Sequence, residues 1–391
     1  MELKDTLVRY NPWWSQEYGI AGVKRDSYLK KLDDNLKNNQ VIFITGLRRV
    51  GKTTLIKQFI SELINKVDKK RILFLSFDDA TFSAVKIQDI LDEYRKINDL
   101  KFEDKIYLFF DEIGYKRDFS RELKVINDNQ NVKIYASGSD SIQLQDKKAF
   151  LTGRVFIVRV YPLDFSEFLT FKKISVSAAD SHLRDKYFEE HLKIGGMPQY
   201  VLTNNPEFIT SLIDDIIYKD IARAFPVKNP AKLKDLFMLL CERTGKRFTY
   251  NKLAEILNID NETAIEYVSY FQKTFLFNVI SRHSKSLNER VKSPKKIYIA
   301  DNAIRNIFVG SKDKGSLFEN YVFNELSKKF EKINYYFENE HEIDFVIKNG
   351  KQETAVEATM YTEKDLSFFE KSPFKRKAVI SKPEDLFQFI K

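Results

Sequence analysis

Residues 44–54 read Ile-Thr-Gly-Leu-Arg-Arg-Val-Gly-Lys-Thr-Thr, and no other stretch restricts the fold as much. From Gly46 to Thr53, two glycines with four residues between them lead into a lysine and a hydroxyl residue. The pattern requires a buried strand running into the loop and a helix leaving it. Only then do the loop N–H groups turn inward while the helix N-terminus adds partial positive charge at the same spot. Both flanks comply: Val41 to Thr45 is a short apolar run, and Thr53 to Val67 has helical character. The stretch therefore predicts a phosphate cradle. Gly46, Arg48, Arg49, Val50, Gly51, Lys52, Thr53 and Thr54 are its expected lining, with Lys52 on the terminal phosphate and Thr53 as a Mg²⁺ ligand. For Arg48 and Arg49 nucleotide, nucleic acid and nearby acids all stand as partners, with solvent as the default.

Further strands are expected at Arg71 to Phe77, Ile106 to Phe110, Val132 to Ser137 and Val155 to Val160. Near-continuous apolar runs separated by helical segments predict an α/β domain with a parallel sheet covered on both faces. The run Ile106 to Phe110 ends in Asp111-Glu112, the acid pair such a cradle needs: Asp111 to hold Mg²⁺, Glu112 to polarise the attacking water. Ser137-Gly138-Ser139-Asp140 offers either a polar sensor of the phosphate or an ordinary turn. Arg154 is either a cation for the phosphates, in cis or toward a neighbouring subunit, or a surface residue.

The rest of the chain adds mainly helical and mixed segments. After Pro162 the pattern is helical to Phe225, broken by Gly195-Gly196-Met197-Pro198. Three helices (231–243, 252–257, 262–274) and two strands (277–281, 296–300) follow, in the order of a winged helix. The last segment reads helix, three strands, helix, strand, helix. Lys and Arg outnumber Asp and Glu by 65 to 56, a net charge of +9 that favours polyanionic partners. No run approaches the roughly 18 apolar residues of a membrane span. A single cysteine, Cys241, excludes an internal disulfide and leads us to expect a cytoplasmic chain.

Together, NPWW (residues 11–14), GLRRVGKTT, FFDE, SGSDS, LTGR followed by YPLDFSEFL, and GGMP resemble the prokaryotic, largely archaeal, AAA-type ATPases that carry a winged helix and a C-terminal restriction-endonuclease-like domain. The resemblance implies ATP and Mg²⁺ as ligands and an AAA sheet with a helical lid. It divides the chain into an ATPase domain (1–165), a lid (166–229), a winged helix (230–310) and the endonuclease-like domain (311–391). For Trp13 and Trp14 it implies a place beside the adenine, against the plainer reading that they anchor the N-terminal segment.

Two further sets of residues concern nucleic acid. The expected third helix of the winged helix exposes Glu262 and Glu266 and would repel phosphate. The expected wing carries Arg282, Lys285, Arg290, Lys292, Lys295 and Lys296, enough for salt-sensitive phosphate contact. In the last domain Glu319, Asp344 and Glu357 fall where a helix and two neighbouring strands bring three acids onto a divalent metal. The order resembles a nuclease core of Asp followed by Glu-x-Lys, but Thr359 stands where the lysine belongs. Lys364 is the nearest downstream substitute, and actual cleavage is doubtful for that reason. The four histidines, His182, His191, His283 and His341, show no ligand spacing; His341 beside Glu342 is the one to watch. The expected activity is Mg²⁺-dependent ATP hydrolysis tied to nucleic acid, with assembly into a homo-oligomer possible. The alternative is an ATP-driven switch whose inert nuclease-like domain docks a partner.

Overall fold

A computed structural model describes residues 3–20, 22–138, 153–177, 180–350, 352–360 and 366–390. Two compact units divide the chain, Met1–Tyr161 and Pro162–Lys391.

In the first unit five strands form one sheet: β1 Val41–Thr45, β2 Ile72–Ser76, β3 Ile106–Asp111, β4 Val132–Gly138 and β5 Val155–Arg159. Their order is β2-β3-β4-β1-β5, every pair parallel. All residues of β1 and β3 are buried, as expected of strands sandwiched between helices. Because the strands are parallel, the C-terminal ends of β1, β3 and β4 lie at one edge of the sheet, where open α/β sheets place ligands.

The outer edge of β2 would expose unpaired backbone groups, and NPWW covers it. The Asn11 amide donates to Phe74 O at 3.0 Å and accepts from Phe74 N at 2.6 Å, so one side chain imitates a neighbouring strand. Both indoles donate to Ile72 O, Trp13 at 3.2 Å and Trp14 at 2.8 Å. Ile72 starts β2, at the end of the sheet away from the phosphate loop. The tryptophans therefore anchor the N-terminal segment, and the place beside an adenine is corrected.

The second unit begins with the helix Phe165–Phe171, whose N-terminus is closed by a reciprocal Asp164–Glu167 capping box. Gly195 and Gly196 lie where the chain presses on Leu163 and Asp301: Gly196 N donates to Asp301 Oδ2 at 2.6 Å, and Leu163 N donates to Gly196 O at 2.7 Å. A Cβ on either glycine would collide with those groups, which accounts for GGMP. Burial pushes the Asp301 carboxyl up to about 7 against the two N–H donors it accepts.

Helices Pro230–Glu242, Tyr250–Leu257 and Asn261–Lys273 then precede a small antiparallel sheet, β6 (Arg247–Phe248), β8 (Lys295–Ile299) and β7 (Phe277–Ile280) in that order. The C-terminal sheet runs β12 (Arg376–Ile380), β11 (Gln352–Ala358), β10 (His341–Asn349) and β9 (Ile333–Glu338). Residues 281–283 pair with Tyr335 of β9, so the expected wing is drawn in toward this second sheet at its start. Among the described residues no helix is long and apolar enough to cross a membrane.

Candidate functional site

The loop after β1 has the backbone the sequence demands. Gly46 has φ +144°, and a Cβ there would strike the backbone of Val160; Gly51, at φ +97°, caps the helix Lys52–Leu63. Arg49 also takes positive φ, 63°. Arg48 and Arg49 are half-buried rather than solvated, which corrects the default reading of them.

Four side chains converge beneath the loop. Lys52 is 4% exposed, and its Nζ donates to Gly46 O at 3.0 Å and Leu47 O at 3.1 Å. Thr53 Oγ1 donates to Asp111 Oδ2 at 2.6 Å. Ser137 Oγ donates to the other oxygen, Oδ1, and accepts from Glu112 N at 3.1 Å. The strand order explains this: β4 lies between β1 and β3, so its terminal residue can fix the acid at the end of β3. Ser137 is thus more than a turn residue. Ser139 and Asp140 lie outside the described residues, as do Leu151, Thr152 and Lys364.

Glu112 follows Asp111 in left-handed conformation, φ 47° and ψ 43°, and is half-buried. Non-glycine residues held there are uncommon and cluster at functional sites. Thr54 has an exposed side chain, so its contribution to the cradle is its backbone N–H.

Sequence reasoning missed Arg25. It is 6% exposed and precedes the helix Asp26–Asp34; its guanidinium lies 4.5 Å from the centre of the Tyr28 ring. It donates to Tyr161 O at 2.9 Å and toward Val50 O at 3.4 Å, and Tyr28 Oη accepts from Tyr161 N at 3.2 Å. One buried cation thereby joins the phosphate loop to the exit of β5. The signal was a lone arginine twenty residues ahead of the loop, with nothing local to mark it.

Arg154 is corrected in part. It precedes β5, and its carbonyl accepts from Val41 N at 2.7 Å, the start of β1. With β1 and β5 parallel and in register, the phosphate loop is about five residues, or ~17 Å, away along the strand. Arg154 pairs with Asp128 at 3.0 Å and is out of reach of its own loop, which overturns the reading in cis; the surface and neighbouring-subunit readings remain. Arg159, beside Thr45, holds the position near the loop.

The C-terminal acids do converge, but on a lysine. Lys296, placed in the wing by sequence, is the second residue of β8 and 1% exposed. Its Nζ lies 2.6 Å from Glu319, 2.7 Å from Glu342 and 3.3 Å from Asp344. Alternation along β8 explains the error: Lys295 faces outward, donating to Arg290 O and Val291 O, and Lys296 faces inward. Although burial opposes its charge, Glu319, Tyr298, Asp344 and Glu342 hold the Lys296 ammonium well above its usual pKa. Burial and the nearby Asp344 push Glu319 up to about 7.

Tyr298 donates to Glu319 at 2.7 Å, Arg247 pairs with Glu342 at 3.0 Å, and Ala358 N donates to Asp344 at 3.0 Å. Glu357 is 1% exposed and accepts from Asp344 N at 3.4 Å. Among the described residues no group of three or more His, Cys, Asp or Glu is arranged to hold a metal ion. The metal reading of Glu319, Asp344 and Glu357 is corrected accordingly: an internal ammonium stands where a cation was expected. Thr359, in the lysine's position, donates its N–H to Ile380 O at 2.9 Å.

The segment expected to be a wing also holds the helix Leu287–Lys292, and it keeps Lys285, Arg290 and Lys292 exposed. Arg282 is half-buried, 5.9 Å from the Phe337 ring centre.

With the loop, the acid pair and the strand order established, comparison with known proteins is informative. Residues 38–169 match the model of the AAA domain. The first unit has the fold of a P-loop AAA-type domain. Residues 185–315 and 314–389 match two domains of unknown function, DUF8612 and DUF4143. An uncharacterized protein of Haemophilus influenzae is 26% identical over 344 residues, 85% of each chain. One from Methanocaldococcus jannaschii is 29% identical over 343 residues, 83% of this chain and 75% of its own length. AMPPCP-bound DnaA from Aquifex aeolicus, at 16% identity and a TM-score of 0.29, covers 67% of this chain and 92% of its own, a level at which no functional detail transfers.

Proposed function

We propose that the first unit binds ATP with Mg²⁺ and hydrolyses it, and that the second unit couples this to nucleic acid. The reading is carried by the Thr53–Asp111–Ser137 relay under a loop whose lysine rests on neutral carbonyls. Thr53 Oγ1 and the Asp111 carboxylate are two hard oxygen donors 2.6 Å apart, a fit for Mg²⁺, which when bound with ATP neutralises phosphate charge. Lys52 would exchange its carbonyl partners for the terminal phosphate, and Glu112 would accept the proton of the attacking water. Arg154, exposed at the far end of the sheet, would serve the site of a neighbouring copy in a homo-oligomer.

The second unit reads as a lid, a winged helix and an endonuclease-like domain in the order set out above. Lys285, Arg290 and Lys292 are its nucleic-acid contacts, and the domain containing Lys296 serves as structure or docking surface rather than as a nuclease. The internally neutralised acid cluster also favours a second reading, in which ATP binding switches the affinity of this inert domain for a partner. The cytoplasmic location rests on the lone, buried Cys241.

ATP turnover with and without duplex, single-stranded and branched nucleic acids tests the proposal. Hydrolysis stimulated by one of these supports coupling. Tight ATP binding with negligible turnover throughout supports the switch, and no ATP binding at all overturns both.

A further inference from the structure

The edge of the sheet that NPWW covers also holds a cavity of about 330 Å³, lined chiefly by Arg9, Tyr10, Trp13, Tyr18, Lys57 and Phe74. Its walls are aromatic. Trp13 and Tyr18 meet edge to face with ring centres 4.9 Å apart, and Tyr10 stacks on Phe74 at 6.4 Å. Its rim is cationic: Lys57 Nζ lies 5.5 Å from the Phe74 ring centre, and the Arg9 guanidinium 6.0 Å from that of Tyr10. The Arg9 side chain is 57% exposed, 4.0 Å from Asp79, so its charge faces mostly water.

Flat aromatic walls select a planar ring, and two cations at the mouth repel a cationic ligand and attract an anion. The volume is at the small end for ligand pockets, room for one nucleotide unit and not for a duplex. We propose that this cavity binds a phosphate-bearing nucleobase, with the base against Tyr18, the buried Trp13 backing that ring, and the phosphate on Arg9 and Lys57. It is a second site, distinct from the phosphate loop. Lys57 lies five residues beyond Lys52, about 7.5 Å along the helix and ~140° around it. Trp13 is bonded to Ile72, whereas Ser76, about 13 Å further along β2, is the residue paired with Asp111. Since Lys57 and the phosphate loop share one helix, occupancy of the cavity bears on the element that opens the loop site.

Trp13 and Trp14 are the two tryptophans of the chain, so their emission reports on this place. Titration of the full-length Lys52→Ala variant, which removes binding at the loop, with AMP and with a short oligoadenylate should quench that emission. An Arg9→Ala/Lys57→Ala pair on the same background should weaken binding about tenfold or more, and Tyr18→Leu should weaken it without disturbing the cations. Equal affinity for the two probes marks a free-nucleotide site. Tighter, salt-sensitive binding of the oligonucleotide marks a single strand. No quenching by either probe, or quenching unchanged in the double variant, overturns the proposal, and neither result bears on ATP turnover at the loop.

Discussion

Lys52 and Lys296 are both buried lysines, yet they sit in opposite electrostatic settings. Lys52 is held by two backbone carbonyls, neutral groups that an arriving phosphate outcompetes. Lys296 is held by three carboxylates, and releasing it would leave their charges buried and unpaired. On the proposed function the first is a cation kept for a ligand; the second is a cation consumed by the fold. The carboxylates mirror this. Asp111 is fixed by hydroxyls and lies beside the loop, whereas Asp344 is tied to a backbone N–H and to the ammonium and Glu357 to a backbone N–H.

The contrast can be broken most forcefully by substitution. Glu112→Gln should lower ATP turnover by about 10²–10⁴-fold while leaving ATP binding intact, read by phosphate release and equilibrium binding. Lys296→Met should destabilise the second unit by about 3–5 kcal/mol in denaturant unfolding, because it strands buried carboxylates. Retained full stability would mean the cluster is solvated and open. Arg25→Lys, which cannot hold the Val50 and Tyr161 carbonyls in the same fork, should weaken ATP binding about tenfold; unchanged affinity would leave Arg25 with a purely structural part.

Smaller effects sharpen the picture. With three exposed cations in the proposed wing, the slope of log affinity against log salt for duplex DNA should not exceed about −3 from that segment, and Lys285→Ala/Arg290→Ala/Lys292→Ala should remove that component. Burial holds His191 down to about 4. Since its folded pKa is below the unfolded value of about 6.5, the folded state binds fewer protons between these values. His191 therefore contributes stability above pH 6.5 that is lost as pH falls toward 4. Relative to His191→Phe, the natural chain should lose stability across that window; parallel pH curves would refute it.

Much of this was legible in the residues. The sheet followed from apolar runs, and the loop from Gly46, Gly51, Lys52 and Thr53, since both are encoded within a few adjacent positions. The position of Arg154 was legible but misjudged: a residue just before a strand of an all-parallel sheet lies at the end opposite the loop that follows β1. Lys296 was misread for a related reason. A basic run looks like a solvated loop until its last residue proves to be an inward position of a strand, facing acids tens of residues away. Arg25 gave no warning, since its partners Val50 and Tyr161 come together only in the folded sheet. GGMP was noticed but became explicable only with Leu163 and Asp301 in place.

The most direct test is unfolding of Lys52→Ala and Lys296→Met beside the natural chain, with and without Mg-ATP. The account predicts that Lys52→Ala changes intrinsic stability by about 1 kcal/mol or less and abolishes the stabilisation ATP confers, whereas Lys296→Met lowers stability severalfold more and keeps the ATP-dependent gain of the first unit. Undiminished ATP stabilisation in Lys52→Ala, or an unaltered second unit in Lys296→Met, would contradict it.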